Sequence, residues 1–190
     1  MPTIRDIDIL LVENDPADAE LTIHTLRKNN LAGSLHLVED GAEALDFVFC
    51  RGAYADRSML DRPRVILLDL KLPKVDGLEV LRALKNEPAT RAIPVVILTS
   101  SREQKDLIEG YRLGVSAYVQ KPVDFEKFRQ TIREIGLFWI SMNQPAPPEA
   151  FDGDPPPNGG AERSSRQAPQ CGRPADPETP PQASRAESRR

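Results

Sequence analysis

Short unbroken apolar runs alternate with longer stretches in which apolar residues recur every three or four positions. The first run, residues 7–12 (IDILLV), holds a single acid and suits a strand covered on both faces. Glu13, Asn14, Asp15 and Pro16 end it, and Asp15 is placed to cap a helix with Pro16 at its first position and Asp18 in its first turn. Ala19, Ile23 and Leu26 continue that helix to Asn29 and Asn30. Residues 35–38 predict a second strand, 42–49 a second helix, and 51–64 a polar loop rich in Arg and Asp. A third strand over 65–68 ends at Asp69, and a third helix over 77–86 sets Leu78, Leu81 and Leu84 on one side. A fourth strand over 94–98 runs into Thr99, Ser100 and Ser101, where either serine caps a fourth helix that Gly114 ends. Residues 116–119 predict a short fifth strand before Gln120, Lys121 and Pro122, and Asp124 opens a last helix. Five such pairs imply the α/β class: a doubly wound five-stranded parallel sheet with right-handed crossovers.

Composition divides the chain. Of 18 prolines in 190 residues, 11 fall in residues 144–190, where Phe151 is the only large apolar side chain. That segment cannot bury enough apolar surface to offset its ordering entropy. The expected organisation is a folded domain over 1–143 and a disordered Pro-rich C-terminal tail over 144–190, the tail read as an inert extension ahead of a partner-binding arm. No apolar run approaches a membrane span, and residues 1–6 lack a basic region followed by an apolar one, so neither membrane insertion nor secretion is expected. A cytoplasmic protein is the default. Cys50 and Cys171 make no disulfide scaffold or zinc site. Net charge of −4 offers no nucleic-acid surface.

In such sheets ligands bind beyond the carboxyl ends of the strands. The polar residues there are Glu13, Asn14 and Asp15, then Asp69, then Thr99 and Ser100, then Lys121. Carboxylates beside a lysine and a hydroxyl suit a hard cation such as Mg²⁺ together with a phosphoryl group. Asp69 is the natural nucleophile, Lys121 the cation and Thr99 the hydroxyl.

Four segments then resemble the response-regulator receiver domain of two-component signalling. They are ILLVEND at 9–15, VILLDLKLPKVDGLEVL at 65–81, IPVVILTSS at 93–101 and SAYVQKP at 116–122. The resemblance implies the flavodoxin-like receiver fold and a signalling module rather than an enzyme. It places the phosphoacceptor at Asp69 and the metal ligands at Glu13, Asn14, Asp69 and the Lys71 carbonyl. The switch hydroxyl falls at Thr99, the aromatic that moves with it at Tyr118, and the phosphoryl-contacting lysine at Lys121. It also implies Mg²⁺ as cofactor, a histidine kinase as phosphoryl donor, and a cis bond before Pro122. Output would follow by protein docking or phosphorelay.

Two departures stand out. Asn14 occupies a position where the family usually has Asp, so the cation site loses a charge. The loop over 51–64 is long, which, with the DPADAEL opening and the aromatic end Leu137-Phe138-Trp139-Ile140, resembles the single-domain regulators paired with phytochrome kinases. A haloacid-dehalogenase-type phosphatase needs a second Asp two residues after the nucleophile, where this chain has Lys71. A pseudo-receiver that has lost phosphorylation draws support from Asn14 alone. A nucleotide-binding protein lacks its glycine-rich loop.

Phe125, Phe128, Ile132, Ile135, Trp139 and Met142 form a helical stripe, the first four expected in the core. Phe138 and Ile140 broaden that surface beyond one face, which predicts a homodimer through the last helix. His24 and His36 read as solvated or packed residues rather than ligands, and Cys50 as inert.

Overall fold

The computed structural model describes residues 7–151. The expected disorder of the tail falls largely on residues 152–190, outside that range. The strands are β1 (Ile9–Val12), β2 (Leu35–Val38), β3 (Val65–Leu68), β4 (Val95–Thr99) and β5 (Ala117–Gln120). The helices are α1 (Pro16–Lys28), α2 (Gly41–Val48), α3 (Gly77–Asn86), α4 (Gln104–Arg112) and α5 (Phe125–Gly136). All strands are parallel, in the order β2-β1-β3-β4-β5. Every residue of β1, β3 and β4 is buried, which explains their unbroken apolar runs.

Helices α1 and α5 pack together on one face, over a core that includes Ile9, Leu11, Leu67, Val96 and Phe128. Helices α2, α3 and α4 cover the other, over Leu10, Val12, Leu68, Leu81 and Ile97. The chain leaves β1 toward β2 and leaves β3 toward β4, so the connections after β1 and β3 diverge and open a crevice between them.

Asp15, Asp40, Asp76 and Asp124 cap α1, α2, α3 and α5 through carboxylate acceptors. Neither Ser100 nor Ser101 caps α4. Ser101 Oγ donates to Asp106 Oδ2 at 2.7 Å and accepts from the Glu103 N–H, which delays the helix to Gln104 behind an N-cap, Glu103, without a side-chain bond. The bond before Pro122 is trans, as is every other peptide bond among the described residues. Trans is the lower-energy isomer of the tertiary amide, and the Lys121 N–H still reaches the Thr99 carbonyl at 2.8 Å.

Phe125 is not in the core: it is 64% exposed, one residue after the Asp124 cap and a turn before the stripe turns inward at Phe128. Past α5 the chain continues as a π-helical segment, Leu137–Met142, closed by the Asn143 N–H on the Phe138 carbonyl. Its wider turn sends Trp139 and Ile140 against the α1/α5 core, while Leu137, Phe138 and Met142 stay exposed. Packing continues beyond residue 143. Arg64 donates to the Asn143 carbonyl, and a 3₁₀ turn at Pro148–Phe151 brings the Phe151 ring under the Arg62 guanidinium at 4.1 Å. The long loop is held down too. Tyr54 donates to Glu43 Oε1 at 2.8 Å, and Arg57 lies 3.7 Å over the Phe47 ring.

Candidate functional site

Strand register assembles the site. Val12 pairs with Leu68, so Glu13 and Asp69 emerge side by side at the carboxyl edge. The Asp69 N–H bonds the Val12 carbonyl at 3.0 Å and the Lys121 N–H bonds the Thr99 carbonyl at 2.8 Å. These main-chain bonds place Asp69, Thr99 and Lys121 on one rim, although 52 residues separate Asp69 from Lys121.

Lys121 Nζ is the centre of the cluster. It lies 2.6 Å from Glu13 Oε2, 2.9 Å from Asp69 Oδ2 and 2.9 Å from Asp18 Oδ2. The side chains of Lys121, Glu13 and Asp69 are almost fully buried, whereas Asp18 keeps 35% of its side-chain surface. Burial alone would lower the Lys121 pKa, but the hydrogen bonds to Glu13 and Asp69 overcome it and hold the ammonium above the ordinary lysine range. Burial also dominates at Glu13 and raises its carboxyl, against the pull of Lys121. Asp69 Oδ1 faces the other way, accepting from the Leu70 N–H at 2.6 Å and the Lys71 N–H at 3.4 Å.

Most expected residues converge here, with differences. Thr99 is fully buried, and its Oγ1 accepts from the Ser101 N–H at 3.2 Å. Tyr118 stands half-buried on the edge strand β5 against Ile97 and Gly110, and its buried hydroxyl has no hydrogen-bond partner among the described residues. Asn14 is exposed at the rim, and Asp15 is committed to the α1 cap through the N–H groups of Ala17 and Asp18. The sequence pattern puts Asp18 only in the first turn of α1. Its role in the cluster follows from α1 starting at the same rim, a signal available from its place one turn inside the helix that follows Glu13.

Among the described residues no three His, Cys, Asp or Glu side chains form a ready-made metal cage. The carboxylates gather on Lys121 instead. The donor set still suits a hard cation. Glu13, Asp18 and Asp69 bring three negative charges against one positive, all through oxygen donors, and the partly exposed Asp18 sits where a divalent ion could keep part of its hydration shell. Of the ligands the resemblance implies, Glu13 and Asp69 meet at Lys121, and the Asn14 amide and the Lys71 carbonyl would complete the set around a cation. A cavity of about 800 Å³ between α1 and β2 shares Glu13 and Asn14 with this rim, but none of Asp69, Thr99 and Lys121.

Response regulator Rcp1 from Synechocystis is 38% identical over 132 residues, 70% of this chain and 88% of Rcp1. Its Mn²⁺-bound crystal structure superposes with a TM-score of 0.69, at 36% identity, covering 73% of this chain and 98% of that one. The phosphorylated cyanobacterial phytochrome response regulator RcpA matches with a TM-score of 0.69 and 37% identity, over 73% of this chain and 97% of RcpA. The bacteriophytochrome response regulator AtBRR is 51% identical, with a TM-score of 0.58, over 73% of this chain and 98% of AtBRR. The response regulator receiver domain profile spans residues 9–133, and the chain belongs to that family.

Proposed function

We propose that Asp69 accepts a phosphoryl group from a histidine kinase, in the presence of a divalent cation that we take to be Mg²⁺. A carboxylate oxygen of Asp69 attacks phosphorus, the phosphorus–nitrogen bond of the phosphohistidine breaks, and the electron pair returns to the imidazole. Lys121 and the cation stabilise the charge on the transferred oxygens. The observation that carries this reading is the buried contact of Lys121 Nζ with Asp69 Oδ2 at 2.9 Å, at the crevice where the strand order reverses. Thr99 and Tyr118 act as the switch: the Thr99 hydroxyl turns toward the phosphoryl group and Tyr118 follows into the space vacated beside β4. The readout is docking to a partner or relay to a second histidine protein.

A phytochrome-type kinase is the donor we favour, supported by the resemblance to Rcp1, RcpA and AtBRR. Leu137, Phe138 and Met142, exposed past the end of α5, support a homodimer through this helix. A monomer by light scattering at micromolar concentration would remove that part of the reading. Net charge of −4 supports a role without nucleic-acid binding. No helix among the described residues is long and apolar enough to cross a membrane.

The test is intact mass after incubation with acetyl phosphate, with and without Mg²⁺, beside Asp69→Asn. A metal-dependent gain of one phosphoryl group, lost in the variant, is expected. No gain from acetyl phosphate or from a phosphorylated histidine kinase would leave an interaction module that no longer takes phosphate.

A further inference from the structure

Asn14 leaves the rim one carboxylate short, and the structure offers a replacement. Asp18 Oδ2 sits 2.9 Å from Lys121 Nζ, as near as Asp69 Oδ2. An ammonium has three N–H donors, and here Glu13, Asp69 and Asp18 take one each. Lys121 is therefore held on three sides, with Asp18 as the wet leg of the tripod. Asp15 is not among the partners of Lys121; its Oδ1 accepts from two N–H groups of the first turn of α1. That same cap fixes the turn on which Asp18 stands.

Building on the phosphoacceptor reading above, we propose that Asp18 is a positioning residue of this pocket: it supplies the acidic charge that Asn14 lacks, anchoring Lys121 beside Asp69 and drawing in the divalent cation. With Asp18 ionised the cluster carries three negative charges against one, a surplus of two that matches a divalent ion. Without it the surplus falls to one. The partial exposure of Asp18 sets its charge at the mouth, where a hydrated cation enters.

The experiment is isothermal titration of the full chain with Mg²⁺, for wild type, Asp18→Asn, Asn14→Asp, the double variant, and Glu20→Gln as an exposed acid elsewhere on α1. Asp18→Asn is expected to bind Mg²⁺ about tenfold more weakly, the effect of removing one charge near a divalent ion in a water-accessible site. Glu20→Gln stays near wild type. The double variant recovers most of the loss, because a carboxylate at position 14 restores the missing charge, a rescue that a purely structural role for Asp18 does not allow. Asp18→Asn binding as tightly as wild type overturns the proposal, as does a loss that Asn14→Asp fails to repair. Wild type that binds no Mg²⁺ overturns the cation reading as well, whereas unchanged affinity in Asp18→Asn overturns this inference alone.

Discussion

Gly77 stands so close behind Asp69 that a Cβ on it would lie 2.2 Å from the Asp69 carbonyl oxygen and 2.7 Å from the Leu70 Cα. Both contacts are backbone, and the Gly77 N–H already bonds the Leu70 carbonyl at 2.9 Å. The start of α3 is thus pressed against the strand end that presents Asp69.

Gly77→Ala should therefore cost about 3 kcal/mol, at the upper end for overpacking, because rigid backbone has to move. Phosphoryl uptake from acetyl phosphate should fall with it, as Asp69 shifts from Lys121. Gly114→Ala is the contrast. Gly114 has φ of 87° with open space around it, so only left-handed backbone strain of about 1–2 kcal/mol applies, and uptake persists. Urea unfolding of both variants checks the pair. Equal costs would mean that the close approach behind Asp69 does not matter.

Lys121→Met strips the counter-ion from two buried carboxylates. Leaving Glu13 and Asp69 to face each other should cost about 3 kcal/mol in metal-free buffer, the scale for breaking one side of a buried ion pair. Divalent cation should return part of that, since the unpaired acids then hold the ion unopposed. Thermal melting with Mg²⁺ and with EDTA reads both effects. A variant that melts identically in the two buffers would contradict a cation site at this rim.

Tyr118→Phe should stabilise the fold by about 1 kcal/mol. The hydroxyl it removes is buried without a partner, and such a group pays desolvation with no return bond. Burial first, then the charges of Asp106 and Asp69, push its phenol above the ordinary tyrosine range, so the hydroxyl stays protonated at neutral pH. Loss of stability in the variant, measured by urea unfolding, would show that the hydroxyl does find a partner.

The sheet was legible because β1, β3 and β4 are covered on both faces, and their sequences are apolar without interruption. Glu13, Asp69, Thr99 and Lys121 were legible for a related reason: each ends or directly follows a strand, so position along the chain gives position on the rim. What escaped depends on contacts across the fold. Asp18 meets Lys121 over 103 residues, and its place in a first helical turn gave a sufficient local explanation for an acid. Ser101 looks like a cap until Asp106 claims its hydroxyl. Trp139 and Ile140 were assigned to the same unpaired surface as Phe138, but only the π-helical turn decides which of them face the core. Periodicity of 3.6 cannot anticipate a turn of different width.

His36 should make stability fall in mild acid. Its ring stacks on Phe47 at a centroid distance of 4.6 Å, and its Nε2 lies 3.1 Å from the Tyr54 hydroxyl. Tyr54 has one proton and donates it to Glu43, so Nε2 has to carry the hydrogen and Nδ1 is left bare in the neutral ring. Burial, the largest influence, lowers the His36 pKa; nearby Arg57 adds to this and Glu43 opposes it. Burial and Glu43 also push the Tyr54 phenol up to about 12, so that donor holds throughout the window. The folded state therefore binds a proton here less readily than the unfolded chain. Its contribution is complete above the ordinary histidine pKa of about 6.5. It declines as pH drops from there through the lower, folded value. The urea midpoint should decrease between pH 7.5 and 5.5 in wild type and decrease less in His36→Phe, which keeps the stack on Phe47 without a titrating nitrogen. Parallel pH profiles for the two proteins would rule out His36 as the source.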